Sequence, residues 1–182
     1  MGFKNYMDEL LEDYDREEHE DILETARAIS ADDEEVVKQV TLAIDKPEQY
    51  FKDNAERFDE RGIDFEDEEF ADEFDMDELL FLAMVDELEQ QGYAVELDWK
   101  CELDDFLWGL EQIKNYNLIS GVIQNVKFDE EKDIEIWGKE LNAALGGKVH
   151  ICYIDIDSDS YPLTIVTAEA LKSIPIPMVI SM

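Results

Sequence analysis

The stretch that decides the fold lies at residues 149–167 and reads VHICYIDIDSDSYPLTIVT. Two apolar runs, residues 149–156 and 161–167, flank the Asp/Ser-rich segment 157–160. Because Asp and Ser side chains satisfy backbone N–H groups in tight turns, this pattern predicts two antiparallel strands joined by a hairpin turn. The first run is apolar on nearly all of both faces, so we expect it at the centre of a small sheet. Pro162 has no backbone N–H, which predicts an open edge at the start of the second strand.

Helical patterns fill most of the chain before this hairpin. Apolar residues recur at helical spacing through the first half of the sequence, which predicts several amphipathic helices. Asp75 and Glu78 form a capping box, and the helix that they begin should run to about Gln91 and end at Gly92. Its apolar residues cover most of its circumference, so we expect it to be the central helix of the core. Residues 93–98 alternate apolar and polar side chains, as in a strand with one partly wet face.

These patterns predict an α+β fold, with a helical N-terminal half followed by a small, mostly antiparallel sheet and its packed helices. We divide the chain into four segments of one compact unit: an acidic helical region at residues 1–62, an acidic-aromatic connector at 63–78, an α+β core at 79–174 and an extended apolar tail at 175–182. Apolar residues make up 45% of the 182, which is enough for a sizeable core and excludes global disorder. The residues that we expect to be mostly buried are Leu79, Leu82, Ala83, Leu88, Trp99, Trp137, Leu141 and Ile151.

The charge of the chain is extreme and uneven. The formal net charge is −34. Residues 1–92 hold 33 acids and 8 bases, a net of −25, and residues 93–182 hold 16 acids and 7 bases, a net of −9. Such a surface repels nucleic acids and anionic membranes and attracts basic proteins and cations. We therefore expect a basic protein partner and no nucleic-acid or membrane partner; the sequence leaves the oligomeric state open.

The sequence also carries information about the compartment. Its longest apolar run, residues 79–85, is far too short to span a bilayer. The N-terminus has no apolar segment followed by a cleavage site, so we expect no secretory signal. Cys101 and Cys152 form neither a close pair nor a disulfide framework, which favours a reducing environment. We therefore expect a cytoplasmic protein.

The acidic-aromatic stretch at residues 64–78 holds ten carboxylates and no base. As a structural element, it would pack its phenylalanines inward while the acids face water, which is what charge runs usually do. As a recognition element, it would present carboxylates around apolar anchors to a basic partner. The predicted partner-binding residues are Phe65, Glu66, Asp67, Glu68, Glu69, Phe70 and Phe74.

A weaker alternative is a metal site at the end of the sheet. Residues 155–159 have the D-x-D-x-D spacing of a calcium loop, but Ser160 stands where the bend needs Gly and Val166 where a bidentate Glu is needed. A polar hairpin turn explains the same residues. We expect no cofactor unless Ca²⁺ or Mg²⁺ binds here. The candidate ligands are Asp98, Asp155, Asp157 and Asp159.

Catalytic patterns are weak throughout the sequence. His150 and Cys152 project from one face of the same strand, but a nucleophilic pair also needs a third, orienting group, and core packing explains both residues. His19 lies in an acidic run, which predicts an exposed position on a helix. Neither zinc-ligand spacing nor a phosphate-binding glycine loop is present. We assign no catalytic residue, and we favour a protein that is not an enzyme.

Five short segments carry a family resemblance. They are VDEL at 85–88, GY at 92–93, ELDWK at 96–100, FLW at 106–108 and DIDSDSY at 155–161. Together they resemble a bacterial domain family of unknown function, over about residues 76–167. The resemblance implies a bacterial, cytosolic protein and supplies no activity, cofactor or catalytic residue.

The leading hypothesis is a non-enzymatic protein-interaction module, of the immunity or inhibitor kind, that meets a basic partner through its negative charge. The alternative is a protein that binds a divalent cation or a small ligand through a carboxylate cluster at the end of the sheet. That alternative could be hydrolytic only if a bound metal activated water.

Overall fold

The computed structural model describes residues 7–8, 10–11, 14–63, 65 and 74–182. Its α-helices are α1 (Glu20–Ser30), α2 (Glu34–Asp45), α3 (Pro47–Asp53), α4 (Ala55–Glu60), α5 (Met76–Gln90), α6 (Leu103–Gln112), α7 (Ser120–Ile123), α8 (Ile134–Leu145) and α9 (Ala168–Ser173). Its strands are β1 (Ala94–Asp98), β2 (Val149–Ile154), β3 (Ser160–Thr167) and β4 (Val179–Ser181). Short 3₁₀ helices span Arg16–His19 and Lys114–Leu118. Over these described ranges, no helix has both the length and the apolar character needed to cross a membrane.

The four strands form one antiparallel sheet in the order β1-β3-β2-β4. β2 and β3 form the predicted hairpin, with Ile151 in register with Ile165, and β2 is central because β4 pairs with its other edge. At the start of β3, β1 covers one side of Pro162, which is in register with Glu96, and the predicted open edge lies on the β2 side only. The register of β3 with β2 ends at Leu163, so Pro162 is in register with one neighbouring strand only.

The predicted α+β fold class is confirmed, and helices cover both faces of the sheet. Because side chains alternate along a strand, the even-numbered residues of β1, β2 and β3 face one helical layer and their odd-numbered residues face the other. Ala94, Cys152 and Val166 belong to the core of the N-terminal layer, which contains α1 to α5 and α9. Leu97 and Ile165 belong to the core of the C-terminal layer, which contains α6 to α8.

Helix α5 is the centre of the N-terminal layer, as the sequence predicts. The predicted capping box is present: the Glu78 N–H donates to Asp75 Oδ1 at 2.9 Å, and the Asp75 N–H donates to Glu78 Oε2 at 3.0 Å. Gly92 follows the helix with φ +71°, a left-handed conformation that favours glycine. The helix contacts α1, α2 and β1. Since apolar residues lie around nearly its whole circumference, it packs on several sides at once.

The C-terminal layer has an aromatic and aliphatic core. Phe106, Leu110, Trp137 and Leu141 are each at most 1% exposed. The ring centroids of Phe106 and Trp137 lie 5.7 Å apart. The indole N–H of Trp137 donates to the Asp129 carbonyl at 2.8 Å, so burial of this large ring leaves its polar atom satisfied.

Most of the predicted core is confirmed. The buried members are Leu79, Ala83, Leu88, Trp137, Leu141 and Ile151. Leu82 is half-buried, and Trp99 is 46% exposed, so the prediction for Trp99 is wrong. Trp99 lies in the turn after β1, where its backbone N–H donates to the Asp159 carbonyl at 3.1 Å. Its indole faces outward, and Lys100 Nζ lies 4.5 Å from the ring centroid.

The histidine expected on an exposed helical face is buried instead. His19 is 5% exposed, so that prediction is wrong. Its ring stacks on Tyr14 with centroids 4.9 Å apart, and its Nδ1 lies 3.5 Å from Asp77 Oδ1. The 3₁₀ turn before α1 brings these groups together, and the stacked phenol ring shields the imidazole from water.

The apolar tail forms the fourth strand of the sheet. β4 pairs with β2, and the Met182 N–H donates to the Ile151 carbonyl at 3.1 Å. The Asn142 side chain of α8 donates to the Ile151 and Met182 carbonyls, both at 2.8 Å. Gly138 allows this approach, because a Cβ at that position would lie 2.4 Å from Met182 Sδ. Met182 therefore lies between β2 and α8, in contact with both.

Candidate functional site

The phenylalanines predicted to anchor a partner pack inward where the structure describes them. Phe65 is 6% exposed, and its ring centroid lies 5.6 Å from that of Phe51 and 5.9 Å from that of Phe58. Phe74 is partly buried against the same core. The positions of these two phenylalanines agree with the structural interpretation of the acidic-aromatic stretch, in which the rings pack inward. The other predicted partner-binding residues lie outside the described residues: Glu66, Asp67, Glu68, Glu69 and Phe70.

The four candidate metal ligands serve the turns at the end of the sheet. Asp98, Asp155, Asp157 and Asp159 are all exposed. Asp98 Oδ1 accepts a hydrogen bond from the Lys100 N–H at 2.7 Å, and Asp155 Oδ1 accepts one from the Asp157 N–H at 3.2 Å. Among the residues that the structure describes, no group of three or more His, Cys, Asp or Glu is placed to hold a metal ion. The geometry therefore gives the metal alternative no support.

The His150–Cys152 pair is not arranged for nucleophilic chemistry. Cys152 is fully buried, and burial raises the pKa of its thiol to about 12. His150 Nδ1 lies 3.0 Å from Ser181 Oγ on the neighbouring strand β4. The second thiol, Cys101, has a pKa raised to about 11 by burial and by the nearby Asp105 and Asp98 carboxylates. Both thiols are therefore protonated near neutral pH, whereas a nucleophilic cysteine needs its thiolate.

An exposed indole on α6 is the first feature that the sequence analysis did not predict. The helix buries Phe106 and Leu110 against the sheet, and its 3.6-residue period turns Trp108 to the opposite side. Trp108 is 58% exposed, more than any other large apolar side chain in the described ranges. The signal was available, because position 108 falls outside the apolar stripe that the helix predicts.

Acidic side chains surround this indole. Asp104 and Asp105 precede Trp108 by one helical turn, Glu111 follows it by nearly one turn, and all three are exposed. The Glu102 N–H donates to Asp105 Oδ2 at 3.2 Å, so Asp105 also caps the helix. In the described part of the chain, none of these three carboxylates forms an ion pair with a Lys or Arg. We call this surface the Trp108 face; it consists of Asp104, Asp105, Trp108 and Glu111.

A buried ionic network in the N-terminal layer is the second feature. Its members come from α4 and the residue after it, from α5 and from β1. Arg57 Nη2 lies 2.5 Å from Glu87 Oε1 and 3.0 Å from Asp86 Oδ2. The Tyr50 hydroxyl also donates to Glu87 Oε1, at 2.7 Å. The members are Arg57, Arg61, Asp86, Glu87, Glu89 and Glu96.

Arg61 joins three parts of this network. It bonds Glu89 Oε2 through Nη2 and Glu96 Oε2 through Nη1, the latter at 2.8 Å. Its Nε lies 3.8 Å from Asp86 Oδ1. The Ser160 hydroxyl donates to the second oxygen of Glu96, which links the network to β3. One guanidinium therefore ties α5 to the first strand of the sheet.

Burial shifts the acid–base properties of the network. Asp86 and Glu87 are each 3% exposed. Removal from water raises the pKa of the Asp86 carboxyl, against the lowering effect of Arg57 and Arg61. Burial raises the pKa of Glu89 to about 7, against the attraction of Arg61. Four carboxylates face two guanidiniums here, so the fully ionised network carries excess negative charge.

A cavity of about 600 Å³ lies beside the network, and we call it the ionic cleft. Asp157 and Ser158, from the turn between β2 and β3, also line it. Its charged lining includes Arg57, Glu60, Arg61, Asp86, Glu89 and Glu96. Its apolar lining consists of Ile63, Phe74, Leu82 and Ile156. The sequence alone gave no sign of this cleft, because its residues come from four separate parts of the chain.

Residues 21–174 match a family described as a domain of unknown function, DUF6630. The chain belongs to this family. The DUF6630 match begins well before residue 76, so it includes the N-terminal layer that the sequence resemblance did not reach. Both the Trp108 face and the buried ionic network lie within it. No curated protein and no solved structure matches the chain.

Proposed function

We propose that this DUF6630 chain is a non-enzymatic protein-interaction module that binds a basic protein through the Trp108 face. The observation that carries the proposal is the 58% exposed indole of Trp108 among the carboxylates of Asp104, Asp105 and Glu111. Tryptophan is enriched at the energetic centres of protein interfaces, where surrounding residues exclude water. A partner that places lysine or arginine side chains around an apolar pocket would complement this surface.

Two electrostatic effects act in this complex at different ranges. The net charge of −34 accelerates encounter with a basic surface, and added salt weakens this steering. At contact, a lysine or arginine of the partner can lie over the indole as well as pair with the carboxylates. Binding should therefore require both the indole and the surrounding charge. We place this interaction in the bacterial cytoplasm, where free thiols such as Cys101 and Cys152 stay reduced.

Affinity capture with matched variants tests the proposal. The full chain is immobilised as wild type, as Trp108→Ala and as Trp99→Ala, and is exposed to native bacterial lysate at low and high salt. Trp99 is the control, because it is a second exposed indole that lies outside the Trp108 face. We expect a basic protein that is retained by wild type and Trp99→Ala and is lost with Trp108→Ala or with high salt.

Kinetics with the purified partner then separate the two effects. Trp108→Ala should weaken binding by about 30-fold, as loss of a central interface residue worth about 2 kcal/mol does. The pair Asp104→Asn and Glu111→Gln should mainly lower the association rate, because it removes steering charge but keeps the indole. An acidic partner, or equal retention by Trp108→Ala and wild type, would contradict the proposal.

A further inference from the structure

We propose that the ionic cleft is a binding site for a small organic cation, an alkylammonium group on an apolar stem. The cleft lies between α4, α5, β1 and the turn between β2 and β3, whereas the Trp108 face belongs to α6. The inference therefore concerns a second site and does not depend on the proposed protein partner.

The charge of the lining favours a cation. Its carboxylates come from Glu60, Asp86, Glu89, Glu96 and Asp157, and its guanidiniums from Arg57 and Arg61. When all of these side chains are ionised, the five carboxylates and two guanidiniums give the lining a net charge of −3. Both guanidiniums are already engaged in ion pairs within the network. An ammonium group that enters the cleft would meet uncompensated negative charge at reduced effective dielectric.

Two carboxyl groups that line the cleft each have one oxygen without a hydrogen bond. Glu89 Oε1 and Asp86 Oδ2 are shielded from solvent and accept no hydrogen bond. Arg57 Nη2 lies 3.0 Å from Asp86 Oδ2, which is an ion-pair distance, but the geometry is not that of a hydrogen bond. Asp86 is almost completely buried, with only 3% of its surface exposed. Leaving such an oxygen without a donor is costly, and rotation of the carboxylate toward the cleft would let a ligand N–H remove this cost.

The network has an unused donor as well, Arg57 Nε. Two unused acceptors against one unused donor still favour a ligand that donates more hydrogen bonds than it accepts. An ammonium group has three N–H donors and no acceptor. It satisfies carboxylate oxygens without the convergent coordination that a metal ion needs.

The apolar lining defines the rest of the ligand. Ile63 is buried, and Phe74, Leu82 and Ile156 are half-buried around the cavity. An alkyl stem can lie against these side chains while its ammonium group faces the carboxylates. The volume of about 600 Å³ falls within the usual size range of small-molecule sites.

Protonation of Glu89 should compete with the ligand. Glu89 faces Arg61, Glu96 of β1 and Asp86 of its own helix, and burial raises its carboxyl pKa to about 7. Below this pH the carboxyl is neutral and attracts a cation less strongly. A bound cation favours the carboxylate, so affinity should rise as the pH rises through 7.

Calorimetric titration of the full chain with cadaverine, a diammonium with a five-carbon stem, tests the site. Its uncharged counterpart is 1,5-pentanediol, and sodium chloride holds the ionic strength constant. We expect saturable binding of cadaverine, no binding of the diol, and tighter binding at pH 8 than at pH 6. Glu89→Gln should weaken cadaverine binding at least 10-fold. The matched control Glu48→Gln, which removes an exposed charge on α3 outside both the cleft and the Trp108 face, should leave it unchanged.

Two results would overturn the proposal. One is the absence of saturable cadaverine binding. The other is an equal loss in Glu89→Gln and Glu48→Gln, which would indicate general attraction of cations to an acidic protein. A thermal unfolding scan confirms that Glu89→Gln folds. If that variant does not fold, Leu82→Trp replaces it, because a larger side chain in the apolar lining should block the cleft without changing its charge. Unchanged binding in Leu82→Trp would equally exclude the site.

Discussion

The two helical layers accommodate the acidic charge of this chain in opposite ways. The N-terminal layer encloses Asp86 and Glu87 and pairs them with Arg57. The C-terminal layer surrounds Trp137 with apolar side chains and keeps its acids on the outer surface, where the Trp108 face lies. One layer is therefore organised by directional ion pairs, and the other by close packing of hydrocarbon.

This difference indicates where each layer is vulnerable. A buried ion pair gains little net stability over apolar packing, but loss of one partner leaves an uncompensated charge away from water. An apolar core instead loses stability in proportion to the volume that is removed. The N-terminal layer should therefore be most sensitive to loss of a charge, and the C-terminal layer to loss of volume.

The largest effect should come from Arg57→Met. The substitution removes the guanidinium beside Asp86 and Glu87, and we expect a loss of about 3–5 kcal/mol in the free energy of unfolding. Urea denaturation monitored by circular dichroism measures this loss. Arg27→Met is the control, because Arg27 and Asp32 form an exposed pair, 3.7 Å apart, which should contribute less than about 1 kcal/mol. Equal losses in the two variants would show that the buried network has no special role.

Leu141→Ala tests the C-terminal layer in the same way. Leu141 is fully buried, and the cavity left by its side chain should cost about 2–5 kcal/mol. Leu118→Ala removes the same atoms from a side chain that is 41% exposed and should cost much less. The same denaturation experiment compares the two variants. A small loss at Leu141 would mean that the layer can collapse around the missing volume.

Gly138→Ala should have the next largest effect. The added Cβ would lie 2.4 Å from Met182 Sδ and 2.8 Å from Met182 Cβ, so the C-terminal residue must move away from α8. Overpacking of this kind costs about 1–3 kcal/mol. Gly121→Ala is the matched control, since a Cβ there meets no atom within 4 Å. Hydrogen exchange should show faster exchange of the Met182 amide in Gly138→Ala only.

The pH dependence of stability should report Glu89. Its folded carboxyl has a pKa raised from 4.5 to about 7, so between these values the folded state binds more protons than the unfolded state. The stabilising contribution is complete below pH 4.5 and is lost as the pH rises to about 7. In Glu89→Gln, the free energy of unfolding should fall less over this pH range than in wild type, by about 1–2 kcal/mol. One pKa unit corresponds to about 1.4 kcal/mol.

The control for this pH profile is Glu60→Gln. Glu60 lines the same cleft but is exposed, so the substitution removes one negative charge without changing a buried carboxyl. Denaturation at a series of pH values compares wild type with both variants. Identical profiles for Glu89→Gln and Glu60→Gln would show that general charge repulsion, and not Glu89, determines the slope.

The smallest effect on stability should come from Trp108→Ala. An indole that is 58% exposed contributes little to packing, so the free energy of unfolding should change by about 0.5 kcal/mol or less. Thermal unfolding measures this change. A loss comparable to that of Leu141→Ala would mean that Trp108 belongs to the core of its layer, and loss of partner binding could then no longer be assigned to the interface alone.

Local patterns in the sequence were sufficient for the main elements. The apolar runs around residues 157–160 predicted the hairpin, and Asp75 with Glu78 predicted the start of α5. Both signals depend on residues that are close together in the chain. A capping box or a turn forms between neighbouring residues, so its physical basis is present in a short segment.

Tertiary structure decided which strands meet and which charges pair. The residues next to Pro162 do not indicate that β1 pairs with the start of β3. The residues next to Arg57 do not indicate that its guanidinium pairs with the Glu87 carboxylate. The contact between His19 and Asp77 likewise joins residues that lie far apart in the chain. Periodicity specifies which face of an element is apolar, but not which other element covers it. The ionic cleft follows from that second choice, which depends on packing of the whole chain.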